Sequence, residues 1–211
     1  MPRTRIKICG IRDRDTAFIA AEHGADALGF VFAKASPRYI EPEDAYDIIC
    51  ALPPFISTVG LTVNAKVEQF DDIQEAAPFD LAQLHGNESV PLAKEYMTPV
   101  IKAIQYKPET ITDDLARWNP VHEVVALLID GSAGGEGQTF DWNALAEIKG
   151  SIVHPIILAG GLTPDNVGEA IRIVQPFAVD VSSGVESDRG IKDPAKIAAF
   201  CQAVQDADRA S

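Results

Sequence analysis

Basic residues are scarce in this chain: 18 lysines and arginines face 31 aspartates and glutamates, for a formal net charge of −13. A nucleic-acid binder needs a cationic face to displace counterions from phosphates, so that class is excluded. The same charge repels an anionic metabolite. A phosphate or carboxylate ligand must therefore be gripped by local donors: glycine backbone, helix ends and single placed cations. Long apolar runs are missing as well. None approaches the ~20 residues that cross a bilayer, and Arg3-Thr4-Arg5 leads straight into a strand, so neither a signal peptide nor a membrane anchor is expected. Cysteine is limited to Cys9, Cys50 and Cys201, an odd and widely spaced set. It predicts no disulfide framework and fits a reduced, cytoplasmic setting. No Pro/Gly/Ser-rich linker or charge block divides the chain, and residues 1–211 read as one domain.

What the chain does have is alternation. Short apolar runs at 5–9, 27–32, 58–63, 80–84, 100–104, 124–129, 156–159 and 177–181 are each followed by an amphipathic segment. Eight such pairs predict an α/β fold, a (β/α)8 barrel of about 26 residues per unit, with an open doubly wound sheet as the competing architecture. The unusual residues follow strands one, two, four, six, seven and eight. An open sheet would spread them along an edge, whereas a barrel collects them at one mouth.

Two adjacent strand ends look built for an anion. Strand seven ends in Gly160-Gly161, with Thr163 expected as a helix N-cap and Pro164 as the first helical residue. Strand eight ends in Ser182-Ser183-Gly184. Together they offer N–H and hydroxyl donors to one phosphate. Lys7 and Cys9 share a face of strand one, which would turn both into the barrel and leave the Cys9 thiol at the mouth. Asp180 shares the inward face of strand eight, so Lys7 and Asp180 should meet as an interior ion pair. Asp130 closes the wholly apolar run of strand six, where a carboxylate is costly unless paired or protonated. Arg38, after Pro37 in the longest early loop, can grip a carboxylate with a forked pair of bonds. His85, after Gln83-Leu84, reads as a structural histidine ahead of a proton carrier, and no histidine pair has zinc spacing. Gly131 to Gly137 holds four glycines in seven residues and suits a lid over substrate.

Several stretches, taken in order, resemble phosphoribosylanthranilate isomerases. They are Lys7-Ile8-Cys9-Gly10-Ile11, Gly29-Phe30-Val31-Phe32 with Ser36-Pro37-Arg38-Tyr39, Gln83-Leu84-His85-Gly86, and Gly134-Gly135-Glu136-Gly137 with Phe140-Asp141-Trp142. Leu158-Ala159-Gly160-Gly161-Leu162 with Asn166 and Asp180-Val181-Ser182-Ser183-Gly184-Val185-Glu186 complete the set. The resemblance implies a barrel that performs an Amadori rearrangement of a small phosphorylated substrate in tryptophan biosynthesis. It implies neither cofactor nor metal, and a monomer or a homodimer. In the family, the cysteine matching Cys9 is the general base and the aspartate matching Asp130 the general acid. Arg38 is implied to hold the anthranilate carboxylate, with Gly160, Gly161, Ser183 and Gly184 in the phosphate cradle. Gln83 and His85 are further candidates. Thr62, where an aromatic or aliphatic residue is expected, should reshape the pocket wall. Two other classes remain: a barrel enzyme for a different sugar phosphate, which would not need Arg38, and a catalytically silent phosphate-binding module, which would not need both Cys9 and Asp130.

Overall fold

β1 (Arg5–Cys9) turns Ile6 and Ile8 toward the surrounding helices and Lys7 and Cys9 inward, and the later strands follow the same two-sided plan. In the computed structural model, which describes residues 3–131 and 139–210, eight parallel strands close into a barrel in chain order. The others are β2 (Ala27–Val31), β3 (Ser57–Thr62), β4 (Leu81–Leu84), β5 (Val100–Gln105), β6 (Val124–Asp130), β7 (Ile156–Leu158) and β8 (Ala178–Val181). Helices α1 (Arg14–Glu22), α2 (Pro42–Ile49), α3 (Val67–Ala76), α4 (Val90–Glu95), α5 (Ile111–Trp118), α6 (Trp142–Ile148), α7 (Val167–Val174) and α8 (Pro194–Arg209) alternate with them. The expected (β/α)8 barrel is therefore present. Most of the expected lid, from Ser132 onward, lies outside the described residues.

Two apolar layers hold the barrel. The outer one, between strands and helices, buries large side chains such as Phe30, Leu84, Leu127 and Phe200. Each is worth roughly 1.5–3 kcal/mol relative to exposure. The inner one is built largely from small or β-branched residues, among them Val59, Ala103, Ala126, Ala159 and Ala178, with Leu128 and Ile157. Small inner residues leave room for charge: Lys7 Nζ lies 2.7 Å from Asp180 Oδ1, and the two residues are register partners on β1 and β8. Strand parity alone anticipated this pair.

Two expectations need correction. α7 begins at Val167, and Thr163 does not cap it. The Asn166 side chain accepts from the Thr163 N–H at 2.8 Å and donates to the Gly161 carbonyl at 2.9 Å, which holds 163–166 as a turn. Thr62 does not line the pocket. Its neighbours Leu61 and Val63 do, and Thr62 shares the outward face with Gly60, whose Cα lies against the Phe79 ring. Between β8 and α8 the chain adds elements that the sequence reading leaves undescribed. A short 3-10 helix (Ser183–Val185) leads into an antiparallel hairpin of β9 (Glu186–Asp188) and β10 (Ile191–Lys192), whose turn uses Gly190 at φ +85°. Strands of two or three residues are too short to leave a periodic trace in a sequence.

Candidate active site

The loop after β2 folds back on its own strand. The Ile40 N–H donates to the Val31 carbonyl at 3.1 Å, and the Arg38 N–H donates to Ser36 Oγ at 3.1 Å. This carries the Arg38 stem across Gly10, at φ +84°, where a Cβ would come 2.8 Å from Arg38 Cδ. A glycine must therefore follow Cys9: the left-handed backbone and the arginine stem both require it. Ser182 Oγ donates to the Cys9 carbonyl at 3.0 Å and ties β1 to the end of β8.

Cys9 and Lys7 meet over a second bare position. A Cβ on Gly29 would lie 2.9 Å from Cys9 Sγ and 3.1 Å from Lys7 Nζ, so its absence lets ammonium and thiol approach. Burial pushes the Cys9 thiol above its ordinary value; Lys7 and Lys192 pull it down and Asp180 pushes it up. The net direction is upward. Desolvation of the thiolate outweighs the lysines.

Cys9, Arg38, Gln83, His85, Asp130 and Ser182 line one pocket of about 130 Å³ at the carboxyl ends of the strands. The sequence-derived acid, base and cation are thus brought together, each no more than 6% exposed. Arg38 differs from expectation in one respect. Its forked edge is already engaged, with Nε 2.7 Å from Glu186 Oε1 and Nη2 3.0 Å from Oε2, so that only the rest of the guanidinium can meet a ligand. His85 lines the same pocket as Cys9 and Asp130. Its Nδ1 accepts from the Gln83 amide at 3.0 Å, which places the ring proton on Nε2, 3.6 Å from Asp130 Oδ2. Burial lowers the His85 pKa more than Asp130 raises it, which favours the neutral ring.

Asp130 also borders two neighbouring pockets. One, of about 30 Å³, is walled by Gly160, Gly161, Leu162, Ser182 and Ser183. There Gly161 has φ +64°, and a Cβ on Gly184 would strike the Leu162 carbonyl oxygen at 1.9 Å, so the two strand-end turns pack backbone to backbone. The N–H groups of Gly161, Ser183 and Gly184 have no backbone acceptor among the described residues. The other pocket, about 450 Å³, opens toward β5 past His85 and Lys102. A larger cavity of about 570 Å³ lies at the opposite end of the barrel, beside Thr4, His154 and Phe177, and contains none of these residues.

Two supports escaped sequence reading. Lys102 donates to the Gly86 carbonyl at 2.6 Å and to Glu88 Oε2 at 2.7 Å, while Glu88 accepts from the N–H groups of Asn64 and Gly86. Together they clamp the loop that carries His85. Lys192 and Gly190 complete the surroundings of Glu186, at 2.9 and 3.1 Å from its carboxylate oxygens. Gly190-Ile191-Lys192-Asp193-Pro194 contains a turn glycine and a helix start, the only sequence signals of that hairpin.

A closed barrel with thiol, carboxylates and cations gathered at the carboxyl ends of its strands has the architecture of a (β/α)8-barrel enzyme. The family model described as N-(5'phosphoribosyl)anthranilate (PRA) isomerase matches residues 6–203. The chain belongs to that family and is an isomerase of tryptophan biosynthesis. It is 47% identical to the N-(5'-phosphoribosyl)anthranilate isomerase of Pseudomonas fluorescens over 97% of each chain, and 48% identical to that of Pseudomonas putida strain F1 over 98% of this chain and all of the other. Among solved structures, the Thermotoga maritima phosphoribosyl anthranilate isomerase superposes with a TM-score of 0.88 at 38% identity, covering 96% of this chain and 99% of that one. A structure of a phosphoribosyl anthranilate isomerase in complex with reduced 1-(o-carboxyphenylamino)-1-deoxyribulose 5-phosphate gives 0.86, with the same identity and coverage.

Proposed function

We propose that the chain converts N-(5'-phosphoribosyl)anthranilate to 1-(2-carboxyphenylamino)-1-deoxyribulose 5-phosphate with Asp130 as general acid and Cys9 as general base. The observation that carries this reading is the single pocket shared by Cys9, Arg38 and Asp130. Asp130 gives its proton to the ribose ring oxygen as the C1′–O bond breaks, and the nitrogen lone pair forms a Schiff base at C1′. The Cys9 thiolate then takes the C2′ proton, and the C2′–H electron pair neutralises the iminium to an enolamine. Protonation at C1′ and loss of the enol proton give the ketone, so the reaction is redox-neutral overall. Arg38 meets the anthranilate carboxylate with its remaining N–H groups, and the bare N–H groups near Gly160, Gly161, Ser183 and Gly184 hold the phosphate. Residues 1–211 act as one cytoplasmic barrel domain, as a monomer or a homodimer. A solved relative is described as dimeric, with monomers made from it.

The direct test adds purified chain to freshly made phosphoribosylanthranilate and follows the loss of its fluorescence; no loss above the uncatalysed rate would end the proposal. Two binding variants refine it. Arg38→Met removes charge-assisted bonds worth roughly 1.5–3 kcal/mol, so KM should rise at least tenfold. An unchanged KM would move the carboxylate elsewhere. Gly161→Ala puts a methyl into left-handed backbone at a cost of roughly 1–2 kcal/mol and crowds the phosphate donors, so KM should rise about tenfold in a folded variant. If inorganic phosphate inhibits this variant and the parent equally, the cradle is misplaced.

A further inference from the structure

We propose that Lys192, on the hairpin that follows the barrel, is a positioning residue that stabilises the thiolate of Cys9. The proposal rests on the reading of Cys9 as the base.

The groups around Cys9 come from five elements: Lys7 on β1, Arg38 in the loop after β2, Asp180 on β8, Glu186 on β9 and Lys192 on β10. His85, just past the end of β4, and Asp130, at the end of β6, line the same pocket. Lys7 is matched by Asp180, and Arg38 by Glu186. Lys192 has no carboxylate of its own and shares Glu186 with Arg38. Within this bonded cluster three buried cations face two buried carboxylates, and Asp130, which lines the same pocket, adds no negative charge while it carries the proton it gives as acid, so the reactive form of the site is one negative charge short. A thiolate at Cys9 supplies it.

The hydrogen bonds identify Lys192 as the ammonium. Its Nζ has three acceptors: Ser182 O at 2.9 Å, Ser182 Oγ at 3.2 Å and Glu186 Oε1 at 2.9 Å. Ser182 Oγ spends its own proton on the Cys9 carbonyl, so toward Lys192 it can only accept. Three donated bonds require three protons, one more than a neutral amine carries. Burial lowers the Lys192 pKa from its ordinary value, while Glu186 and Cys9 both favour its charged form. The chain from Lys192 through Ser182 Oγ to the Cys9 carbonyl ties this charge to the residue that bears the thiol, close enough to favour the thiolate electrostatically. Lys7 acts on the same thiol from the strand interior, but its charge is opposed by Asp180 at 2.7 Å.

The test titrates the thiol itself. In a Cys50→Ser background, which removes the exposed thiol, the rate of Cys9 alkylation by iodoacetamide is followed against pH by mass spectrometry of the folded chain. Lys192→Met should move the titration up by about one pH unit, so that alkylation below the thiol pKa slows about tenfold. Lys192→Gln keeps donors for Ser182 and Glu186 without the charge, and should shift it equally. Lys192→Arg should leave the titration near that of the parent. A role confined to stability would lower the unfolding temperature of all three and move none of the titrations. The proposal fails if the folded neutral variants titrate with the parent, or if arginine shifts the thiol as far as methionine does. Cys9→Ser activity tests the base separately: full turnover there would remove the catalytic reading while leaving the effect of Lys192 on the thiol intact.

Discussion

Cys9→Ser should lower kcat by about 10²–10⁴-fold with KM little changed, and Asp130→Asn should do the same. A hydroxyl in place of the thiol barely ionises, and an amide in place of the carboxyl has no acidic proton to give. Both replacements keep the volume of side chains that are almost wholly buried, so the variants should fold and bind. Burial holds the Cys9 thiol above its ordinary value, so the thiolate is the scarcer form in the free site, and each unit by which the thiol titration rises lowers the thiolate fraction below it about tenfold. The pH profile of kcat/KM should still be bell-shaped, rising through the lower titration and falling through the higher. A folded variant at either position that works within a few-fold of wild type would reassign that role, first to His85, whose Nε2–H faces Asp130 at 3.6 Å.

Much of this site was legible because strand parity is a strict rule. A period of two turns Lys7, Cys9 and Asp180 inward from the sequence alone, and barrel closure then makes β1 and β8 neighbours, which is how their ion pair could be anticipated. Gly10 and the Gly160-Gly161 pair could be read for the same kind of reason: only a residue without Cβ fits a left-handed or crowded backbone. The misses share a different cause. Arg38 was expected to have its fork free because the partner, Glu186, is 148 residues away on a three-residue strand with no periodic signature. The start of α7 was misplaced because Thr163-Pro164 satisfies helix-start chemistry, while the competing Asn166 side-chain bonds to the Thr163 N–H and the Gly161 carbonyl depend on where the glycine turn puts its backbone. The direction of the Cys9 pKa is not legible either, because sequence shows the lysine beside it but not how thoroughly both are removed from water.

Lys7→Met should destabilise the fold by roughly 3–5 kcal/mol, since it strands the Asp180 carboxylate in the barrel interior, whereas Lys7→Met with Asp180→Leu should recover most of that loss. The pair is 2.7 Å apart, and the two side chains are 3% and 10% exposed, so a lone charge there has little water to turn to. The same pair predicts a pH dependence. Burial pulls the Lys7 pKa down, but Asp180 and Cys9 together outweigh it and hold the group above its ordinary value. A raised lysine pKa means that the folded chain binds the proton more tightly than the unfolded chain. Its stabilisation is therefore complete below the ordinary value near ~10.4 and lost as pH rises through the folded value. Denaturant titrations of the two variants and the parent, at neutral pH and at about pH 11, measure both effects. At neutral pH the single variant should fall well below the double; at high pH the parent's advantage over the double variant should shrink. Losses that simply add would mean that the two charges are not coupled. Turnover separates stability from chemistry, because the double variant should regain its fold without regaining full activity: the thiol at Cys9 will have lost the ammonium that meets it over Gly29.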